Sequence, residues 1–551
     1  MSILVKYTDI ALGARADFEV ETGKSLPVSN KDLFKGNGDN FGRYDIPFEL
    51  NSFLLDGKAQ FLPEDNPAQL SFVGEQISNE NGEFEYPIQF VLEAEGTYAS
   101  SGITIIFDEQ KNIYASRLNI EWYNGNTLLH SEEFFPTSAN YFCNRNVNFY
   151  NKVIITFYSL NVPYSRLRVN FIEYGLSVQF KGNELKTAKI IQEIDAISTS
   201  VPINTFDFSI DSKKDIEFSF QTKQPVEVYF NDELKSTSFV KNAKRKSKTV
   251  WEINSEDYIG LMDTIPFSGG IYEDKNAKDL LADIFTLSKV PYNIDSVFDN
   301  LTVSGHIPYT TCREALMQVC FAIQAIADTS NSDKVNIFAL SNEVTQDIQK
   351  SRIMQGQNFE DSTRVTAVEL TAHAYNEISD TLVAYDAKKS GIGENIFVTF
   401  KEPLHTLSIS NGTIIESGSN YAIINAMSEC VLTGAKYEHT TTVYRKRNPL
   451  VLSTDIENIV AIENATLVSL NNVDNLLETC YNYIVNIEKT NAKIIDGKHV
   501  DYNGIVTYDQ PTNVGDIINF ETEYLGSKTG RIIKQAFGLN GGILVKDSVV
   551  R

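Results

Sequence analysis

Apolar and polar residues alternate at period two along most of this chain, a pattern that belongs to strands half-buried on one face. The alternation changes phase once in a telling place. From residue 194 to 210 the chain reads IDAISTSVPINTFDFSI. Val201 and Ile203 set one apolar phase, and Phe206, Phe208 and Ile210 set the other, one residue out of step across Asn204-Thr205. A slip of one residue would turn the buried face outward. A β-bulge absorbs such a slip, and bulges cluster where sheets curl into barrels. The stretch predicts a single strand that turns a barrel corner.

Other segments extend the β reading. Leu118, Ile120 and Trp122 alternate with polar positions, Asn124-Gly125 supplies a two-residue turn, and Leu128-Leu129 begin the return strand. Two more strands fall at 153–158 and 167–174, around Val162-Pro163, and short strands with regular turns describe a β-sandwich. Further strands are expected at Ile216-Phe218-Phe220 and at Val226-Val228-Phe230, the latter running into a turn at Asn231-Asp232. Helical spacing appears three times. Asn276 is an N-cap for Ala277, Leu280, Leu281, Ile284 and Phe285; Thr311 and Glu314 form a capping box for Leu316, Val319, Cys320, Ile323 and Ala327; Leu476, Leu477, Cys480 and Ile484 share a face over 473–487. Strands return between 363 and 471, and the chain ends in a meander whose last hairpin turns at Asn540-Gly541-Gly542.

Composition bounds the function classes. A chain of 551 residues exceeds one core, and 33 Phe with 26 Tyr in a 42% hydrophobic sequence exclude wholesale disorder. With 72 Asp+Glu against 48 Lys+Arg, the net charge of −24 repels nucleic acid as a whole. Five dispersed cysteines, an odd number with no CxxC, read as reduced thilos of a cytoplasmic fold rather than a disulfide framework. No signal peptide is apparent, and no apolar run is long enough to span a membrane.

Two stretches resemble known families. SGITIIFDE (101–109) and LNIEWYNGNTLL (118–129), with the residues before them from Phe34, resemble the discoidin-like sandwich domains of phage tail proteins. ISTSVPINTFDFSID (197–211), FQTKQPVEVYFNDEL (220–234), the two helices at 276–285 and 311–327, and VGDIINFETEYLGSKTGRIIKQAF (514–537) resemble, in that order, the baseplate hub of a phage tail or a phage-tail-like bacteriocin. The resemblance implies a mainly β, multidomain fold: an N-terminal arm (1–33), a discoidin-like β-sandwich (34–178), a first tube-like β-barrel domain (179–265), an inserted α+β module (266–350), and a second tube-like β-barrel domain (351–551) carrying the helix near 473–487. It also implies a homotrimer that presents six barrels to a hexameric tail tube protein and holds a trimeric spike protein below, with tape-measure protein and other baseplate proteins as further partners. The chain would then belong to a virion or tail-like particle, made in the bacterial cytoplasm, and stay monomeric until a tube templates the trimer.

Few residues point to chemistry. KNAKRKSK, with Lys241, Lys244, Arg245, Lys246 and Lys248, is a basic run in an acidic chain, read first as a solvated hairpin loop and otherwise as a contact for nucleic acid or, ahead of it, an acidic face of a neighbouring protein. His130, His306, His373, His405, His439 and His499 are at least 32 residues apart, so no sequence-local zinc motif exists. DGKHVDYNG (496–504) lacks the spacing of a calcium loop, and Glu132-Glu133 and Glu256-Asp257 are pairs that 72 acidic residues supply by chance. Trp122 and Trp251 sit in apolar alternations and read as core. No cofactor, metal or catalytic residue is assigned. The leading expectation is a structural hub. The alternative is an adhesion protein that binds cell-surface glycan through the sandwich, and a peptidoglycan-cleaving enzyme ranks third.

Overall fold

The computed structural model describes residues 3–11, 13–26, 29, 44–45, 60–61, 72–109, 111–195, 197, 199–212, 220–230, 233–348, 364–387, 395–452, 454, 456–486, 492–496, 499–500, 506–507, 512–522, 526–538 and 544–550. The chain is mainly β, with several sheets and few helices. It forms two compact units, one of Lys6–Gln179 and one of Met1–Val5 with Phe180–Arg551. The turns expected at Asn231-Asp232 and Asn540-Gly541-Gly542, the residues Ile216-Phe218, and most of 30–71 lie outside the described residues.

In the unit Lys6–Gln179, two long strands organise everything. Glu83–Phe107 and Asn140–Leu160 pair antiparallel over nearly their whole length, with register breaks between Glu93 and Tyr98 and between Ser100 and Gly102. The breaks let both strands bend. Their residues on either side of the bend, Phe90 and Leu92 on one, Ile103, Ile105 and Phe107 on the other, enter one core. A sheet folded on itself in this way has two layers over a shared interior, the sandwich arrangement. Glu19–Thr22, in the stretch expected to be an arm, adds a strand here by pairing with 90–93. Trp122 is fully buried in this core, and each such aromatic contributes about 1.5–3 kcal/mol by leaving water. The hairpin at 115–134 forms, but its two-residue loop is Gly125-Asn126, since Asn124 pairs with Thr127. Gly125 takes the left-handed conformation (φ 56°) that the turn requires.

The second unit corrects the phase-slip reading. No single strand runs through 194–210: the strand begins at Thr205, and Thr205–Asp211 pairs with Val250–Glu256 without a register break. Val201 belongs to the core of the α+β module, with Ile203 packed against it, whereas Phe206, Phe208 and Ile210 are buried along the sheet. The two phases serve two different cores. Asn204 is the pivot: its Oδ1 accepts from the Glu193 N–H (2.8 Å), and its Nδ2 donates to Thr329 Oγ1 (2.9 Å).

Among the described residues, ten strands of that sheet fall into two groups of five. One half is Pro225–Phe230, Glu233–Arg245, Val250–Glu256, Thr205–Asp211 and Leu185–Glu193, in spatial order. The other is Gly526–Gly538, Ile517–Thr522, Val344–Ile348, Leu544–Val550 and Ala492–Asp496. The halves join where residues 189–193 pair with 534–538, a seam closed by Lys534 on Glu193 (2.5 Å). A second sheet, of Ala367–Ala387, Asn395–Thr399, Leu404–Ser417, Tyr421–Arg447 and Ile459–Ile462, lies between them in sequence.

The module between the sheets keeps its expected helices. In Ala277–Ser288 the Asn276 side chain accepts from the Asp279 N–H, and in Cys312–Ile323 Thr311 accepts from the Glu314 N–H, each satisfying an otherwise orphaned donor. The second helix stops earlier than its apolar stripe implies. Gln324 turns left-handed (φ 59°), so Ala327 is buried on the strand Ile326–Asp328 beside Val335–Phe338, not on the helix. The helix Val473–Asn486 buries Leu476, Leu477 and Cys480 against the strand that carries Val368, Leu370 and Ala372, with Ile484 half-buried at the edge.

Candidate partner-binding hairpin

The five basic residues of 241–248 occupy one hairpin tip, where Glu233–Arg245 turns into Val250–Glu256. Ser247 closes the turn, its Oγ accepting from the Val250 N–H (3.1 Å). Lys241 is the extra residue of a bulge between Val240 and Asn242 and reaches Glu256 (2.6 Å). Lys244 stands opposite Glu252 in the ladder, and Lys246 pairs with the same carboxylate at 2.9 Å. Arg245 lies over the Trp251 ring, 5.4 Å from its centre, with its guanidinium donating to the Ser247 and Lys248 carbonyls. Thus Trp251 is a core residue whose outer face seats a cation.

All five basic side chains are exposed. Exposed ion pairs contribute only about 0–1 kcal/mol each, so these carboxylates leave the cations available to a partner. Five cations against Glu252 and Glu256 leave the tip positive within an acidic chain. Glu252 and Asn254 also border a shallow groove of about 610 Å³ over the neighbouring strands, bridged by Asn254 on Asp207 (2.8 Å) and by Thr187 with Ser209 (2.7 Å). Chemically this surface can hold an acidic, hydrogen-bonding face of another protein.

The remaining candidates resolve into structure. Glu132 and Glu133 point to different strands, to Arg145 and Arg117, and Glu256 and Asp257 likewise part, Glu256 to Lys241 and Asp257 into the interior. Asp257 caps Tyr258–Met262 by accepting from the Gly260 N–H (3.0 Å), and it also accepts from Thr329 Oγ1 (2.6 Å) and the Asn204 N–H (3.1 Å). Burial pushes its carboxyl up to about 6, and burial also raises that of Asp328 beside it. The five cysteines are free and buried, with burial pushing the Cys320 and Cys480 thiols up to about 12. Among the described residues no group of three or more His, Cys, Asp or Glu could hold a metal, and no helix is long and apolar enough to cross a membrane.

One grouping was invisible in sequence. His373 Nδ1 and His439 Nε2 lie 3.0 Å apart, His439 stacks on Tyr375 (4.5 Å), and His306 meets the same ring edge-on (5.4 Å). His306 Nε2 in turn meets Asn420 Oδ1 at 2.8 Å, and Asn420 donates to the Ser268 and Ile307 carbonyls (2.8 and 2.7 Å). Burial pushes His306 and His373 below the usual histidine value. This buried amide and its histidines tie the second sheet to the α+β module. Separations of 66 and 114 residues leave no local signal to find them by.

No family model and no curated protein matches the chain. Among solved structures, it is similar to the tail protein from Neisseria meningitidis MC58, at 11% identity over 68% of this chain and 94% of that one, with a TM-score of 0.42. The 43 kDa tail protein of prophage MuSo2 from Shewanella oneidensis gives 10%, 68%, 94% and 0.41 in the same order. The prophage tail protein gp18 from Listeria monocytogenes EGD-e gives 10%, 67%, 91% and 0.38.

Proposed function

We propose that this chain is a structural hub of a phage tail or tail-like particle: a homotrimer in the baseplate that adapts a hexameric tail tube to a trimeric spike. The observation that carries the proposal is a sheet in which a five-stranded group from 185–256 joins edge to edge a second five-stranded group from 344–348 with 492–550. In this reading two β groups per chain let three copies offer six edges to a sixfold ring. The first group then belongs to the tube-like domain 179–265, the second to the tube-like domain 351–551 with the strand Val344–Ile348 added from the end of the inserted module (266–350), and 34–178 is a discoidin-like sandwich. Lys241, Lys244, Arg245, Lys246 and Lys248 meet an acidic face of a neighbouring baseplate protein. No catalysis is assigned, and the protein works from the particle after synthesis in the cytoplasm. The experiment is deletion with complementation in the producing cell. The expected result is loss of assembled tails that the intact chain restores; assembled tails in its absence would reject the role.

A further inference from the structure

Three histidines far apart in sequence meet where the second sheet packs on the α+β module. His373 and His439 stand on the paired strands Ala367–Ala387 and Tyr421–Arg447 at diagonal positions, since His373 faces Thr441 and His439 faces Tyr375. His373 Nδ1 and His439 Nε2 are 3.0 Å apart, with the ring planes within 15° and the ring centres 5.2 Å apart. The contact therefore runs from ring edge to ring edge, and an N–H of one imidazole donates to the bare nitrogen of the other. A proton count follows. The neutral pair makes this bond, and one added proton leaves it in place. A second added proton sets N–H against N–H and leaves two cations with no acceptor between them. His306, on Thr302–Ile307, has its tautomer fixed by Asn420. The Asn420 Nδ2 donates to the Ser268 and Ile307 carbonyls (2.8 and 2.7 Å), so its Oδ1 accepts, and His306 Nε2 holds the proton.

One short segment is stitched to both elements. The Thr466 carbonyl accepts from the His306 N–H (3.2 Å), and the Val468 carbonyl accepts from the His373 N–H (2.8 Å). The Tyr375 ring fills the space between, with His439 stacked on it and His306 edge-on. We propose that these three histidines form an acid-operated latch: the second sheet stays docked on the module while His373 and His439 share one N–H···N bond, and is released when a second proton enters the pair. Like charges gathered around one tyrosine ring repel, and parting the two elements is what separates them. The other charged groups around the cluster are engaged elsewhere. Glu377 turns to His405 (3.9 Å), Glu369 pairs with Arg445, Lys275 with Asp283 and Arg313 with Asp263, and Asp274 accepts from Ser304 (3.2 Å). Glu314 and Glu463 are exposed, and Glu438 points to the face opposite His439. Burial keeps the Tyr272, Tyr375 and Tyr437 hydroxyls neutral. Among the described residues, the charges that bear on His306 and His373 are those of the histidines themselves. The latch acts within one chain and stands apart from the hub reading.

The test is amide hydrogen exchange read by mass spectrometry on the full-length protein at pH 7.5 and pH 5.0, with exchange times matched for the intrinsic rates. Peptides over 302–307 and 464–469 should lose protection at pH 5.0 by about tenfold or more, while the helix Ala277–Ser288 keeps its own. The double variant His373→Gln with His439→Gln has a pair that cannot charge, and it should keep its protection at pH 5.0. His405→Gln, which removes a histidine of the same sheet outside the cluster, should lose protection as the wild type does. Carbon-13 histidine spectra of the wild type give a reading that needs no variant. One histidine of the pair should take up its proton near the usual value, and the other only at distinctly lower pH. Equal protection at both pH values, a double variant as acid-sensitive as the wild type, loss of the acid response in His405→Gln, or two pair histidines that titrate together at the ordinary value would each overturn the latch.

Discussion

Replacing Asp257 by Asn tests whether the joint between the large sheet and the α+β module is a buried charge or a buried acid. Asp257 is 1% exposed, and burial, the largest influence, lifts its carboxyl from 3.8 to about 6 against three hydrogen bonds that lower it. The folded value lies above the unfolded one, so between these two pH values the native state holds a proton that the unfolded chain has released. Stability must then fall as pH rises through that window, by about 3 kcal/mol for a shift of about two units, and the loss is complete above it. Asn keeps an acceptor for the Gly260 N–H and is neutral throughout. It gives up the acceptor that Thr329 and the Asn204 N–H use, a pH-independent cost of about 1–3 kcal/mol. The wild type should therefore be the more stable protein near pH 4. By pH 7.5 the difference should shrink by about 3 kcal/mol, so that Asp257→Asn matches or exceeds it. Urea unfolding followed by fluorescence reads this directly in a Trp122→Phe background, because Trp251, the other of the chain's 2 tryptophans, sits on the strand that leads into Asp257. A wild-type advantage that stays constant from pH 4 to 7.5 would refute the reasoning.

Three further outcomes are expected. Acid should loosen the second sheet from the module, the opposite sign to Asp257: His306 and His373 are held below their usual value by burial and by their histidine neighbours, so stability is lost as pH falls below about 6.5, and His439→Gln should reduce that loss in thermal melts at pH 5.5 against 7.5. Gly305→Ala should destabilise this junction by about 2 kcal/mol or more in urea unfolding, since a Cβ there would sit 2.4 Å from the Thr466 carbonyl oxygen at φ 143°. Charge reversal of the tip, Lys244→Glu with Lys248→Glu, should leave the melting temperature within about 1 °C, because both side chains are exposed, while lowering incorporation into particles several-fold.

Helices were the most legible part of this chain because their signals are local. Asn276 and Thr311 each cap a donor three residues on, and their stripes bury as the spacing demands. Ala327 shows the limit: it kept helical spacing, but the left-handed turn at Gln324 had already ended the helix. The phase slip before Phe206 was legible as an anomaly and misread as a bulge, since alternation does not say that two successive phases face two different cores. The strand seam was beyond reach, because Glu193 and Lys534 are 341 residues apart and neither is unusual in its own segment. The basic tip was visible as composition, but the Glu252 and Glu256 carboxylates that stand beside it, and the Trp251 ring under Arg245, required the hairpin register.

The central claim is that two β units in one polypeptide let three chains occupy a sixfold end. Copy number in purified particles tests it most directly, by quantitative mass spectrometry against isotope-labelled peptides from this chain and from the tube subunit of the terminal ring. Three chains for every six tube subunits at that ring is the predicted result. Six copies, or none in intact particles, would contradict it.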